Sequence, residues 1–287
     1  MKKIILKYLP IGIALLLVGA CLLTLNIYKN NFAEFAVFSW SGDKYSFDMK
    51  ISPSGKILTV EGLNRASYEE LDAAEAVVGM DVARAAAYLE ANFEDGTVFV
   101  TVVAAEKTET DQEILKQLAY RASDAITKSH VVAYGNYTEI HVNRTNTFEM
   151  SLGRISTVSD FANLCTKKIE NCYLDVYSAC PAPIDNFVYY VNNVRSEHLS
   201  EEDGALIKID TSRASYDLKF ISKEDAKKII IEGSDLWYGE DVGDFEYHGI
   251  SFSFGQLRYK FATSYYGYES YIYVDMMNGT VYFDEEG

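Results

Sequence analysis

The side chains in this sequence that could do chemistry are few and scattered. His130, His141, His198 and His248 stand far apart. His130 reads as the residue after a helix end, where a positive imidazole suits the dipole, His141 falls in an expected strand, and His198 and His248 fall in loops. A nucleophile needs a base beside it. No Gly-x-Ser-x-Gly, His-Glu-x-x-His or phosphate-cradling glycine loop supplies one. The stretch from His198 to Asp203 lacks metal-ligand spacing and reads as an acidic loop before Gly204. The sequence therefore predicts no catalytic residue, no metal and no cofactor, and a protein that acts by binding.

Cys21 sits in an apolar run, while Cys165, Cys172 and Cys180 follow with six and then seven intervening residues. That is not the Cys-x-x-Cys spacing of zinc or redox sites; an oxidising exterior permits one disulfide among the three, its pairing left open, with unpaired buried thiols as the alternative. Tyr265, Tyr266 and Tyr268 flank Gly267 at an expected hairpin tip, and Tyr271 and Tyr273 share one face of the next strand. These tyrosines are the candidate binding surface, with ordinary cross-strand packing as the alternative.

The elements that would position such a surface begin with the run Ile11 to Ile27. About 20 apolar residues span a bilayer, and Lys2, Lys3 and Lys7 before the run hold the N-terminus inside, which predicts a single-pass membrane protein with the bulk of the chain extracytoplasmic. Val18-Gly19-Ala20-Cys21 also resembles a lipobox, the alternative being cleavage and a lipid anchor on Cys21. The formal charge of −16 excludes a nucleic-acid partner, because phosphate binding needs a basic face.

After the anchor, Tyr45, Phe47, Met49 and Ile51 alternate, turn at Ser52-Pro53-Ser54-Gly55, and resume at Ile57, Leu58 and Val60 as a hairpin. Residues 68–78 read as a helix broken at Gly79. Asp81 caps a second helix, with Val82, Ala85, Ala86, Leu89 and Phe93 on one side. The run 98–103 is a strand covered on both faces, Thr110 and Glu113 have capping-box spacing before a long helix, and Val131, Val132 and then Ile140 with Val142 suggest a further edge strand. Pro181 and Pro183 mark a boundary. Beyond it, 205–210 and 215–220 read as short strands, and Ser222 with Asp225 opens a helix whose apolar face is Ala226, Ile229 and Ile230. Aromatic strands then lead to an Asn278-Gly279 turn. The fold class is α+β: an N-terminal transmembrane helix followed by two domains of helices on mostly antiparallel sheets. Their bounds are a cytoplasmic tail 1–10, the helix 11–28, a first domain 36–172, a connecting segment 173–204 and a second domain 205–285.

Residues Phe47 to Asn64, the helix entry Gly79-Met80-Asp81-Val82, and Met150 to Ser156 leading to Phe161 resemble the extracytoplasmic middle domain of RsgI-type anti-sigma factors. The usual Asp-x-Asn-Pro-Ser strand end is absent at Ser39 to Asp43, and about ten residues before the apolar run cannot form a sigma-binding domain. Ile221 to Tyr282, with Ser222, Ala226, Val274, Asp275, Gly279 and Val281, is similar to the PepSY domain. The resemblances imply a membrane-anchored sensor or adaptor in the envelope of a Gram-positive bacterium, held to membrane lipid by its first helix and to a protein partner. The alternative they imply is a peptidase inhibitor or folding assistant at the cell surface.

Overall fold

The computed structural model describes residues 2–105, 108–168, 173–198, 209–210, 220–237, 244–253, 255–265 and 268–283. Helix α1 runs Lys2–Phe32. Among the described residues no helix is long and apolar enough to cross a membrane, which corrects the expected transmembrane helix over 11–28 and the single-pass, extracytoplasmic placement built on it. Past Ile27 the helix turns to Tyr28, Lys29, Asn30 and Asn31. The C-terminal end of α1 is seated on the fold: Ser54 N–H donates to the Asn30 carbonyl at 3.1 Å, and Lys56 lies 5.0 Å from the centre of the Phe32 ring.

The first sheet contains β1 (Ala36–Ser41), β2 (Ser46–Ile51), β3 (Ile57–Gly62), β4 (Val98–Ala104), β5 (His130–Asn136) and β7 (Ile209–Asp210), ordered β3-β2-β1-β4-β5-β7. It is mixed, because β4 and β5 run parallel, joined by helix α5 (Glu109–Asp124) as the crossover that parallel strands require. Alternation decides its two faces. Phe38, Trp40, Phe47, Met49, Ile51, Val98, Val100 and Val102 meet α4 (Val82–Asn92) and α5 on one side. Ser39, Asp48, Phe99 and Thr101 point the other way, beneath α7 (Leu152–Lys168).

The second sheet, ordered β11-β10-β9-β8-β6, contains β6 (Tyr173–Leu174), β8 (Glu246–Ser253), β9 (Gln256–Tyr265), β10 (Tyr268–Asp275) and β11 (Val281–Phe283). It is also mixed, β6 lying parallel to β8 while the three longer pairings are antiparallel, so that most of its pairings run as expected. Its inner face, including Ile250, Phe252, Phe261, Ile272 and Val274, shares one apolar core with α7, α8 (Val176–Ala179), α9 (Ile184–His198), α10 (Lys223–Trp237) and with Phe99, Val131 and Ala133 of the first sheet. A file of rings spans that core. Phe99 lies 5.6 Å from Phe187, Phe187 and Tyr190 each 6.0 Å from Phe161, and Tyr190 5.9 Å from Phe252.

Several local expectations shift. The helix over 68–78 divides into α2 (Arg65–Glu69), α3 (Leu71–Ala74) and a 3-10 turn. The capping box stands two residues earlier than expected, on Thr108 and Asp111. Val131 and Val132 do lie in a strand, β5, whereas Ile140 and Val142 belong to helix α6 (Glu139–Phe148) and are exposed. Residues 215–219 of the strand expected over 215–220 and residues 205–208 of that over 205–210 lie outside the described residues, and Phe220 is described outside any strand.

Candidate functional site

The outer face of the second sheet collects the residues that could grip a partner. On β9 the cations Arg258 and Lys260 are two apart and therefore share a face. Register places Tyr273 of β10 opposite Lys260 and Tyr282 of β11 opposite Tyr273, so Tyr282, Tyr273 and Lys260 form one row across three strands. The Lys260 ammonium is 3.6 Å from the Tyr271 ring centre and 5.8 Å from that of Tyr273, and the Arg258 guanidinium is 4.0 Å from that of Tyr282. Such contacts fix long side chains against rings while leaving their charge intact. The Tyr271 hydroxyl donates to Glu269 at 2.9 Å, and His248, in a bulge of β8, lies 5.5 Å from the Tyr271 ring. α7, α9 and α10 all pack on the inner face, so no described helix covers this one.

Of the tyrosines singled out from sequence, Tyr268 is 77% exposed at the β9–β10 hairpin. The Tyr265 side chain and all of Tyr266 lie outside the described residues. Arg258, Lys260 and Tyr282 escaped the sequence reading. The available signal was parity: Arg258 and Lys260 alternate with Leu257, Tyr259 and Phe261, which face inward.

The groups that could do acid–base or nucleophilic work are tied into structure. His130 opens β5, buried, not following a helix as a charged cap: its Nδ1 donates to the Lys128 carbonyl at 2.8 Å, and its Nε2 lies 2.7 Å from the Ser123 hydroxyl. His141 lies in α6, not in a strand; its Nδ1 accepts from Thr138 N–H at 3.3 Å and from the buried Ser156 hydroxyl at 3.2 Å. Burial, then the Arg144 charge, hold its pKa below the usual imidazole value. That Ser–His contact closes a helix N-terminus and presents no exposed nucleophile.

Cys180 is a buried thiol not bridged to Cys165, and burial pushes its pKa up to about 12. Cys165 is buried in the same core, and Cys172 lies outside the described residues. Cys21 is exposed within α1. The described residues contain no group of three or more His, Cys, Asp or Glu that could hold a metal ion. Residues 199–203 of the acidic segment lie outside them.

A second polar cluster sits between the sheets and α7. Ser39 Oγ donates to Asp48 at 2.5 Å and accepts Gly153 N–H at 3.1 Å, while Asp48 also accepts Leu152 N–H at 2.9 Å. Burial raises the Asp48 carboxyl to about 7 against the lowering effect of those two donors, with the neighbouring Glu61 charge adding to the rise. One turn on, buried Arg154 donates to the carbonyls of Gly42 at 3.1 Å and Ala182 at 2.6 Å, with Asp43 at 3.8 Å. Asp43 in turn accepts Ile184 N–H at 3.1 Å. These bonds stitch the β1–β2 loop to the entry of α9: a joint, with its donors and acceptors turned toward one another. No family model, no curated protein and no solved structure matches the chain.

Proposed function

We propose that this chain is a non-catalytic binding protein, an adaptor or regulator that engages a protein partner through the outer face of its second sheet and the β9–β10 hairpin. The observation that carries the reading is the row Tyr282, Tyr273 and Lys260 with Arg258 and Tyr271 beside it, on a face that no described helix covers. Tyrosine and arginine are the residue types that concentrate binding energy at interfaces. Structural hydrogen bonds at His130 and His141 support action without turnover, as do the sequence resemblances to regulatory and PepSY modules. The order of α10 followed by antiparallel β8, β9 and β10 favours a second reading, peptidase inhibition by a PepSY-like unit.

The test is retention of proteins from the source organism on the immobilised full chain, compared with Tyr268→Ala and Tyr273→Ala variants of unchanged circular dichroism. A defined protein kept by the wild type and lost by both variants supports the proposal, and a retained peptidase whose activity falls selects the second reading. Identical retention by all three proteins overturns the assignment to this face.

A further inference from the structure

We propose that Asn278 is a self-modifying position: in the folded chain its side-chain amide is displaced by the backbone nitrogen of Gly279, and the turn between β10 and β11 is rewritten. Asn-Gly occurs once in the sequence, and the structure leaves Asn278 exposed in that turn. Gly279 has no Cβ to shield its nitrogen, and at φ +72° it uses a backbone freedom that lets its peptide plane swing toward the side chain. The Asn278 carbonyl is held in place by Thr280 N–H, which donates to Oδ1 at 2.8 Å. That donor sits on the oxygen that takes up negative charge when a nucleophile adds to Cγ, so it stabilises the addition. Gly279 N–H donates to the Asp275 carbonyl at 2.9 Å, and breaking that one bond releases the nucleophile.

The chemistry needs neither partner nor enzyme and is independent of what the sheet binds. Gly279 N gives its proton to water and bonds to Asn278 Cγ; the Cγ–Nδ2 bond breaks, and the nitrogen takes up a proton and leaves as ammonia. Water then opens the cyclic imide at either carbonyl. One opening yields aspartate, and the other yields isoaspartate, with the side-chain methylene inserted into the main chain.

Among the described residues Asp95-Gly96 is the comparable pair. There one carboxylate oxygen accepts Lys44 N–H at 2.8 Å and the other accepts Tyr45 N–H at 3.1 Å, so the side chain is tied to another loop. At Asn278 the products do not fit the turn. Either one adds a carboxylate beside Asp275, which is 3% exposed and accepts Met277 N–H at 2.8 Å and Asn278 N–H at 3.1 Å. Like charges so close oppose each other. Isoaspartate also lengthens a backbone closed by Asp275 N–H on the Thr280 carbonyl at 2.9 Å, where even a Cβ on Gly279 would lie 2.8 Å from Ile229 Cδ1. β11 is three residues long and takes its register from this turn, so the modification releases it, and Tyr282 with it.

The experiment incubates the full chain in neutral and in mildly alkaline buffer, beside a synthetic peptide of residues 274–281, and follows the amide-to-acid mass gain at Asn278 in proteolytic fragments. Conversion in the folded chain should run no more than about tenfold slower than in the peptide, because an exposed turn opens at little cost. It should be faster in the alkaline buffer, where the nitrogen loses its proton more readily. Hydrogen exchange across residues 281–283 should quicken in the converted protein as β11 comes away. Asn278→Ser keeps an oxygen for Thr280 N–H but has no amide to lose, and its exchange should stay slow through the same incubation. An amide still intact in the folded chain once the peptide has fully converted overturns the proposal. Conversion that leaves exchange in β11 unchanged, or equal quickening in Asn278→Ser, overturns the release of the strand.

Discussion

A carboxylate that accepts a hydroxyl and a helix N–H is ordinarily easier to ionise, yet Asp48 titrates at about 7 because burial outweighs both donors. The consequence for stability follows from linkage. The folded form holds its proton more tightly than the unfolded chain, whose carboxyl titrates near 3.8, so the contribution is fully present below that value and lost as pH rises toward 7. Asp48→Asn keeps the shape and a carbonyl for Leu152 N–H without the titration. Wild type should lose stability relative to this variant between about pH 4 and 7, by an amount on the order of a few kcal/mol. Urea unfolding of both proteins across that range measures the difference, and a constant gap would refute it. Close by, a Cβ on Gly153 would fall 1.6 Å from the Thr101 hydroxyl oxygen. Gly153→Ala should therefore cost about 2–3 kcal/mol by overpacking, partly recovered in the double variant with Thr101→Ala. Neither residue announces itself in the sequence: Asp48 reads as an outward-facing polar position in a hairpin, and only the docking of α7, about a hundred residues later in the chain, makes that face an interior one. The tyrosines of the second sheet were legible because their parity is local; the cations beside them needed strand register to be brought into one row.

Elements show the same division between local and distant causes. Asp81 caps α4 through hydrogen bonds to Ala83 N–H at 3.1 Å and Arg84 N–H at 3.3 Å, and Ser222 accepts Asp225 N–H at 3.0 Å, both legible because a cap is set by residues two or three apart. β4 was legible as a continuous apolar run buried on both faces. β1 was not: its outward residues Ser39 and Ser41 break the apolar pattern, and their burial comes from α7. α6 was misread because Ile140 and Val142 mimic strand alternation, although both are exposed on a helix closed at its start by Thr138 and His141. That helix ends at Glu149 with φ 52 and ψ 33, a left-handed conformation that a side chain resists and glycine accepts. Glu149→Gly should raise stability by about 0.5–1 kcal/mol, the relief of backbone strain exceeding the extra freedom given to the unfolded chain. A lower midpoint in thermal unfolding would show that Glu149 makes a compensating contact.

At the scale of the whole chain, the strands do not respect a boundary drawn through 173–204. β6 at 173–174 pairs with β8 in the second sheet, and β7 at 209–210 returns to pair with β5 in the first. Between them, α7 and α9 supply one core to both sheets, with Phe99, Phe187, Phe161, Tyr190 and Phe252 as its aromatic file. A fragment of residues 36–172 would retain α7 but lose what covers it, exposing Phe99, Val131, Ile155, Val158 and Phe161, all buried in the whole chain. At roughly 1.5–3 kcal/mol for each large apolar side chain returned to water, five of them amount to about 10 kcal/mol. That is the size of the entire net stability of an ordinary domain, ~5–15 kcal/mol. The fragment should therefore fail to fold alone, giving no cooperative thermal transition and binding a hydrophobic dye, while the full chain unfolds in one step. A sharp transition from the isolated fragment would mean that the shared core is a contact between two self-sufficient units, and it would then be possible to assay the tyrosine face on residues 173–287 alone.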